Sequence, residues 1–213
     1  MYGVGLSVSI VGYARTSQRN SVSSTLIFLY LTEHFAIMRK IKLYIAASID
    51  GNIAESDGGL DWLMKYPVNS ETNYGYDDFF NSIDTVIMGG RTYRDILNMD
   101  FTWPYKDKTT YVLTRNSQKS KDDIHFISDN IIEFVSELRN EGRKDIWLVG
   151  GGEIISLFLS HELIDEMIIT TIPVILGDGI ALFPKISKDS KWETIDFQKY
   201  SNDVTQVHYV IKR

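Results

Sequence analysis

Three consecutive glycines between a strand and a helix constrain this chain more than any other feature. In residues 145–158 (DIWLVGGGEIISLF), Ile146, Trp147, Leu148 and Val149 make the short apolar run of a buried strand. Gly150, Gly151 and Gly152 follow. Ile154, Ile155, Leu157, Phe158 and Leu159 then recur at near-helical spacing, with Glu153 in the first turn. A strand that enters a helix through glycines lets backbone approach a ligand closely. It also aims the unpaired N–H groups of the first turn at that ligand. The result is an anion site, for which a pyrophosphate is a common occupant. A tight strand–helix turn alone needs a single glycine, so three argue for a ligand.

A second junction of the same kind lies upstream. The strand at 85–88 runs into Gly89, Gly90, Arg91 and Thr92, and a helical segment follows to Leu97. Here the glycines are joined by a cation and a hydroxyl. Around the two junctions the pattern is regular: strands at 41–47, 109–113, 124–127 and 166–172, and a short helix from Asp77 to about Ser82. Asn130 is placed as the N-cap of a helix over 131–140. Strands at 192–195 and 205–211 close the chain, with Val207, Tyr209 and Ile211 facing one way. Strands alternate with helices to about residue 165 and then run strand after strand. That order predicts a three-layer α/β/α sandwich with a mostly parallel sheet and an antiparallel C-terminal edge. Ligands in such sheets bind outside the carboxyl ends of the strands, so the ends at Ala47, Met88, Leu113 and Val149 should meet in one cleft.

Composition narrows the partners. A hydrophobic content of 44% with 23% charged residues suits a soluble intracellular domain, and a cytoplasmic location is expected. A formal charge of −6 argues against nucleic acid, whose phosphates require basic faces. With no cysteine and four scattered histidines, neither a metal site nor a thiol nucleophile is expected. Residues 1–37 lack steady periodicity apart from an apolar run at 25–31, too short to span a bilayer, which takes about 20 residues as a helix. The reading is a working protein that begins near Met38, with 1–37 a mis-called start or a disordered arm. A membrane-targeting leader is the alternative, although Glu33, His34 and Phe35 stand where a cleavage site belongs.

Five segments together resemble the dihydrofolate reductase-like superfamily. Within it, the chain is most similar to the C-terminal reductase domain of the bacterial bifunctional riboflavin-biosynthesis deaminase–reductase. They are IAASIDGNIA at 45–54, VIMGGRTY at 86–93, LTR at 113–115, LVGGGE at 148–153, and DEM at 165–167 leading to IPVILG at 172–177 and LFP at 182–184. The resemblance covers nearly all of 39–213 and implies a stand-alone reductase using NADPH on a small-molecule substrate. It implies that Ala47 and Ile53 line the nicotinamide and that Gly89, Gly90, Arg91 and Thr92 embrace the pyrophosphate together with Gly150, Gly151, Gly152, Glu153 and Ile154. Leu113, Thr114 and Arg115 match the site of the adenosine ribose and its 2′-phosphate. The family often has a cis peptide at the position matching Gly150–Gly151. A homodimer is also expected, with the 207–211 strand as the edge that invites pairing.

Hydride transfer calls for a proton donor near the developing negative charge. Asp77 and Asp78, on the first helix, and Asp50, in the Ser-Ile-Asp-Gly turn, are the candidates. Each also has an ordinary structural reading, as helix N-terminal charge or turn chemistry. Trp62 is either a cover over the nicotinamide or a core residue. The chain departs from the riboflavin-type pattern at 81–83 and 94–100, and with no cysteine in the sequence a zinc deaminase partner domain is not expected. Reduction of 5-amino-6-(5-phosphoribosylamino)uracil is therefore the nominal activity, with folate- or pterin-type reduction and non-catalytic NADPH binding as the alternatives.

Overall fold

A computed structural model describes residues 38–213, apart from 70, 71, 100, 101, 117 and 143. The expectations for 1–37 lie outside the described residues. In chain order the elements are β1 (Ile41–Ser48), β2 (Asn52–Glu55), α1 (Asp61–Met64), α2 (Tyr76–Ser82), β3 (Ile83–Gly89), α3 (Gly90–Leu97), β4 (Thr109–Leu113) and β5 (Ile124–Ile127). Then come α4 (Ile131–Leu138), β6 (Asp145–Gly150), α5 (Gly152–Ser160), β7 (Glu166–Ile172), β8 (Gly179–Ala181), β9 (Lys191–Lys199) and β10 (Thr205–Lys212). Eight strands form one sheet in the order β5-β4-β3-β6-β1-β7-β10-β9. Pairings from β5 through β7 are parallel, and those of β10 with β7 and β9 are antiparallel. The three-layer α/β/α sandwich with an antiparallel C-terminal edge is the fold.

Strand alternation sorts the side chains into two cores. Ile87, Ile146 and Leu148 face the first, which Val135 and Leu138 of α4 and Ile155 and Phe158 of α5 cover. Val86, Met88 and Trp147 face the second, under Phe79 of α2 and the half-buried Tyr93 and Ile96 of α3. Parallel strands covered on both faces need near-continuous apolar runs, which is why 86–88 and 146–149 carry no charge. Removing a side chain as deeply buried as Phe158 from such a core costs about 3–5 kcal/mol.

Where β1, β3, β6 and β7 begin, buried charges are paired. Arg139 forks onto Asp165 at 2.8 and 3.0 Å, and the Asp165 carboxylate also accepts from the Ile41 N–H at 2.8 Å. Arg39 reaches Asp84, the Thr85 hydroxyl at 2.7 Å and the Glu141 carbonyl at 2.8 Å. Glu166 accepts from Lys40 at 2.6 Å and from His208 at 3.1 Å.

Three local expectations change. The outer edge of the sheet is β9, not the strand at 207–211, because β10 is paired on both sides. Nearly every residue of β9 is exposed, including Ile195 and Phe197. The Gly150–Gly151 peptide is trans, and no described residue has a cis bond; the turn is made by positive φ at both glycines, 129° and 91°. Asn130 does stand at the start of α4, but with φ 48° and without a side-chain capping bond, whereas a bonding N-cap normally has extended backbone.

Candidate active site

The two glycine junctions sit side by side. β3 and β6 are parallel neighbours, with Met88 in register with Gly150, so both helices that follow start from the same end of the sheet. Gly89 caps α3 and Gly151 caps α5, neither with a side-chain bond. The Thr92 hydroxyl reaches across to the Gly150 carbonyl at 3.4 Å. A methyl group on Gly89 would stand 3.0 Å from Ile154, and one on Gly151 would stand 3.1 Å from the Thr92 hydroxyl. Backbones this close leave the first turns of α3 and α5 facing one space, and each first turn has N–H groups free of intrahelical partners.

That space is a cleft of about 1490 Å³. Small-ligand pockets are typically about 300–1,000 Å³, so there is room for a dinucleotide with a second molecule beside it. Gly89 lines it from the end of β3, and Gly90, Arg91 and Thr92 from α3. Gly151, Gly152, Glu153 and Ile154 line it from α5, and Leu113, Thr114 and Arg115 from the end of β4. Ile53 of β2 lines it too. Arg115 and Glu153 lie 3.7 Å apart, both exposed, and Arg91 lies 3.8 Å from Asp95. These arginines stand on a solvent-facing rim, free to turn onto phosphate.

Two expected cofactor residues are placed otherwise. Ala47 is 2% exposed and belongs to the first core, while its neighbour Ala46 lines the cleft. Successive strand residues point to opposite faces, so a one-residue difference decides which alanine meets a ligand. Gly150 lies behind the lining, where it accepts the Thr92 bond. Gly152 does more than open an anion site. A methyl there would come within 2.6 Å of the Ala181 carbonyl and 3.1 Å of Pro184, so the third glycine lets β8 lie against the start of α5. β8 pairs with β2 in a small second sheet, and Gly179, Ile180 and Ala181 line the cleft.

None of the candidate acids lines the cleft. Asp77 and Asp78 are exposed in the first turn of α2, and Asp77 accepts from the Asn73 amide at 3.0 Å. On this helix Tyr76 faces the cleft and Phe79 the core, which leaves the intervening residues toward solvent. Asp50 is exposed and holds a loop. Its carboxylate accepts from the Ser48 hydroxyl at 2.6 Å, the Leu176 N–H at 3.1 Å and the Gly177 N–H at 2.8 Å. These bonds, that from Ser48 first, pull its pKa down to about 2. A carboxyl held so low remains ionised near neutrality and gives up no proton there. Trp62 is core, 5% exposed, and its indole N–H has no partner among the described residues.

The sequence reading passed over the aromatic wall of the cleft. Tyr44, Tyr76, Tyr105 and Trp147 line it on the α2 side. Trp147 is the hub, with Phe79 edge-on at 5.2 Å, Tyr105 at 5.4 Å and Tyr76 at 6.1 Å. Strand alternation was the available signal: Trp147 lies opposite in face to Ile146 and Leu148, and Tyr44 shares a face with Ala46.

The comparisons with known proteins bear on this arrangement. The model of the RibD C-terminal domain matches residues 39–206. The chain belongs to the RibD C-terminal domain family. A relative in Bacillus subtilis (strain 168), the uncharacterized protein YwjB, is 40% identical over 173 residues, which is 81% of this chain and 98% of YwjB. Among solved structures, a Shewanella sp. PV-4 protein provisionally ascribed to riboflavin biosynthesis is similar with a TM-score of 0.75. It is 30% identical, over 82% of this chain and 99% of that one. Dihydrofolate reductase from Enterococcus faecalis, solved with NADP(H) and the compound RAB-propyl, has a TM-score of 0.61 at 16% identity. That match covers 82% of this chain and 97% of the reductase, and it establishes the shared fold. Membership in the RibD C-terminal domain family makes this an oxidoreductase-type domain of dihydrofolate reductase-like fold.

Proposed function

We propose that the chain is an NADPH-dependent reductase that passes hydride to a pterin-like or ribosylaminopyrimidine substrate. Its nominal substrate is 5-amino-6-(5-phosphoribosylamino)uracil. The observation that carries the reading is the contact between the two glycine junctions, where Thr92 meets the Gly150 carbonyl at 3.4 Å across the ends of β3 and β6. Two helix starts aimed into one cleft make a cradle for a diphosphate. Arg91 and Arg115 supply forked donors on its rim, Arg115 toward a 2′-phosphate. The residues present suit NADPH. Bound there, the cofactor supplies the hydride. The chain's own part is to grip the diphosphate at Gly89–Thr92 and Gly151–Ile154, to set the ring end against Ala46 and Ile53, and to exclude water with the aromatic wall.

The described residues that line this cleft all fall within 38–213, and we propose 38–213 as the reductase domain, with 1–37 a leader or a mis-called start. A homodimer and a cytoplasmic location complete the reading. The exposed Ile195 and Phe197 of β9 support sheet-edge pairing, and a concentration-independent monomer mass in light scattering would remove that part.

The placement of Asp50, Asp77 and Asp78 outside the cleft lining favours a second reading, a protein that binds NADPH without turning over. One experiment separates the two. The chain is titrated with NADPH and NADH by intrinsic fluorescence, then assayed for NADPH oxidation against dihydrofolate, pterins and the ribosylaminouracil phosphate. Tight, NADPH-selective binding with turnover of one acceptor is expected. Binding without turnover supports the second reading, and no binding of either cofactor overturns both.

A further inference from the structure

Deep in the cleft, on the face of the sheet beneath α2 and α3, two phenol groups are left without partners. Tyr105 is 6% exposed and lines the cleft, its ring held edge-on between Trp103 at 5.3 Å and Trp147 at 5.4 Å. Its hydroxyl makes no hydrogen bond to any described residue, and neither does that of the half-buried Tyr76 on the same wall. Neither oxygen is among the buried atoms left without a partner, so both are open to the cleft, where a bound molecule can accept from them. Their neighbours show that the fold can satisfy phenols here. The Tyr44 hydroxyl donates to the Tyr74 carbonyl at 2.9 Å, and the Tyr74 hydroxyl accepts from the Asn202 amide at 2.7 Å.

The charges of the cleft are sorted by position. Asp95 and Glu153 are the acidic residues among those that line it, and both sit beside the arginines of the phosphate end. Among the described residues that line the aromatic end, the wall presents phenol donors and no carboxylate. Burial pushes the Tyr105 phenol up, with a further push from Tyr76. Burial and then the charge of Asp77 raise Tyr76. Both therefore stay protonated and donate. A diamino ring recognised through its amidine edge calls for a carboxylate, whereas a ring carbonyl calls for donors.

We infer that Tyr105 and Tyr76 contact the substrate, reading the carbonyl oxygens of a flat, uncharged dione ring laid against Trp147, and that the cleft discriminates against diamino rings. This rests on the cofactor reading above for what the ring faces, but its own evidence is the pair of unpartnered phenols.

The test uses the full chain with and without saturating NADP+, titrated with pteridine-2,4-dione and with pteridine-2,4-diamine. The dione should bind at least ~10-fold tighter than the diamine. Tyr105→Phe and Tyr76→Phe each remove one oxygen and keep the ring, so each should weaken the dione ~3–10-fold, the worth of one hydrogen bond. NADPH affinity should be unchanged, which also checks that the variants fold. Equal or tighter binding of the diamine, absence of dione binding, or unchanged dione affinity in both variants overturns the inference. If NADPH itself fails to bind while the tyrosine effect persists on the cofactor-free chain, the cofactor proposal falls and this one stands.

Discussion

Where the parallel strands begin, the buried charges of Arg39, Arg139, Asp165 and Glu166 are all engaged by partners, whereas where those strands end, donors are left open to a cleft. Both regions hang on the same sheet and share β1, β3 and β6. Polar groups at the start of the strands are spent on each other, in pairs that secure chain ends and loops to the core. Those at the far end are positioned by backbone geometry on the lining or rim of the cleft, where on the proposed reading a ligand completes them. The difference separates residues that matter for folding from those that matter for binding, and it can be tested from either side.

The largest expected effect is at the paired end. Arg139→Ala leaves Asp165 buried with only the Ile41 N–H and the half-exposed Arg213. It should cost about 3 kcal/mol of unfolding free energy in urea titrations, the usual scale for breaking a buried pair. NADPH affinity of the folded variant should stay near wild type; a matching loss of affinity would break the division between the ends. Gly152→Val comes next. Its side chain would meet the Ala181 carbonyl and Pro184, displacing β8 or the start of α5. Overpacking of this kind costs about 2 kcal/mol, or roughly 30-fold, and here it should appear as weaker NADPH binding with a smaller change in melting temperature. Arg115→Ala should lower NADPH affinity about 10-fold while leaving NADH nearly unchanged, because the exposed guanidinium has a 2′-phosphate to bind in only one of them. Equal losses for both cofactors would move the adenosine end elsewhere.

The smallest effect is a pH dependence at the paired end. Burial alone would raise the Glu166 carboxyl. The hydrogen bond from Lys40, the charges of Lys42 and Lys40 and the bond from His208 outweigh that and leave it below its ordinary 4.5. A carboxyl lowered in the folded state contributes stability fully above its unfolded pKa and loses it as pH falls through the folded one. Melting temperature should therefore drop as pH goes below about 4.5, and Glu166→Gln should flatten part of that drop. An unchanged acid limb in the variant would assign acid sensitivity to other carboxylates.

Much of this was legible in the sequence because it depends on local chemistry. Gly150 and Gly151 take positive φ that other residues rarely adopt, so a strand–glycine–helix junction can be read directly from the letters. Apolar runs without charge marked β3 and β6 as strands buried on both faces. The 109–113, 124–127 and 166–172 strands have the bounds expected of them. The acids were harder, since a carboxylate at a helix start or in a turn reads the same whether or not it meets a ligand. Asp50, Asp77 and Asp78 were chosen by type and position along the chain, and their placement depends on which way a turn and a seven-residue helix orient them.

What the chain determined alone is the order of strands and helices and the conformation of the glycine junctions, because periodicity and φ preferences act over a few residues. Tertiary structure decided which residues share a wall. Ala46 rather than Ala47 reaches the cleft, Gly152 makes room for Ala181, and Tyr76, Tyr105 and Trp147, drawn from three separate segments, form one aromatic surface. Such contacts join residues some tens of positions apart, and they are set by strand register and packing, which no local pattern carries.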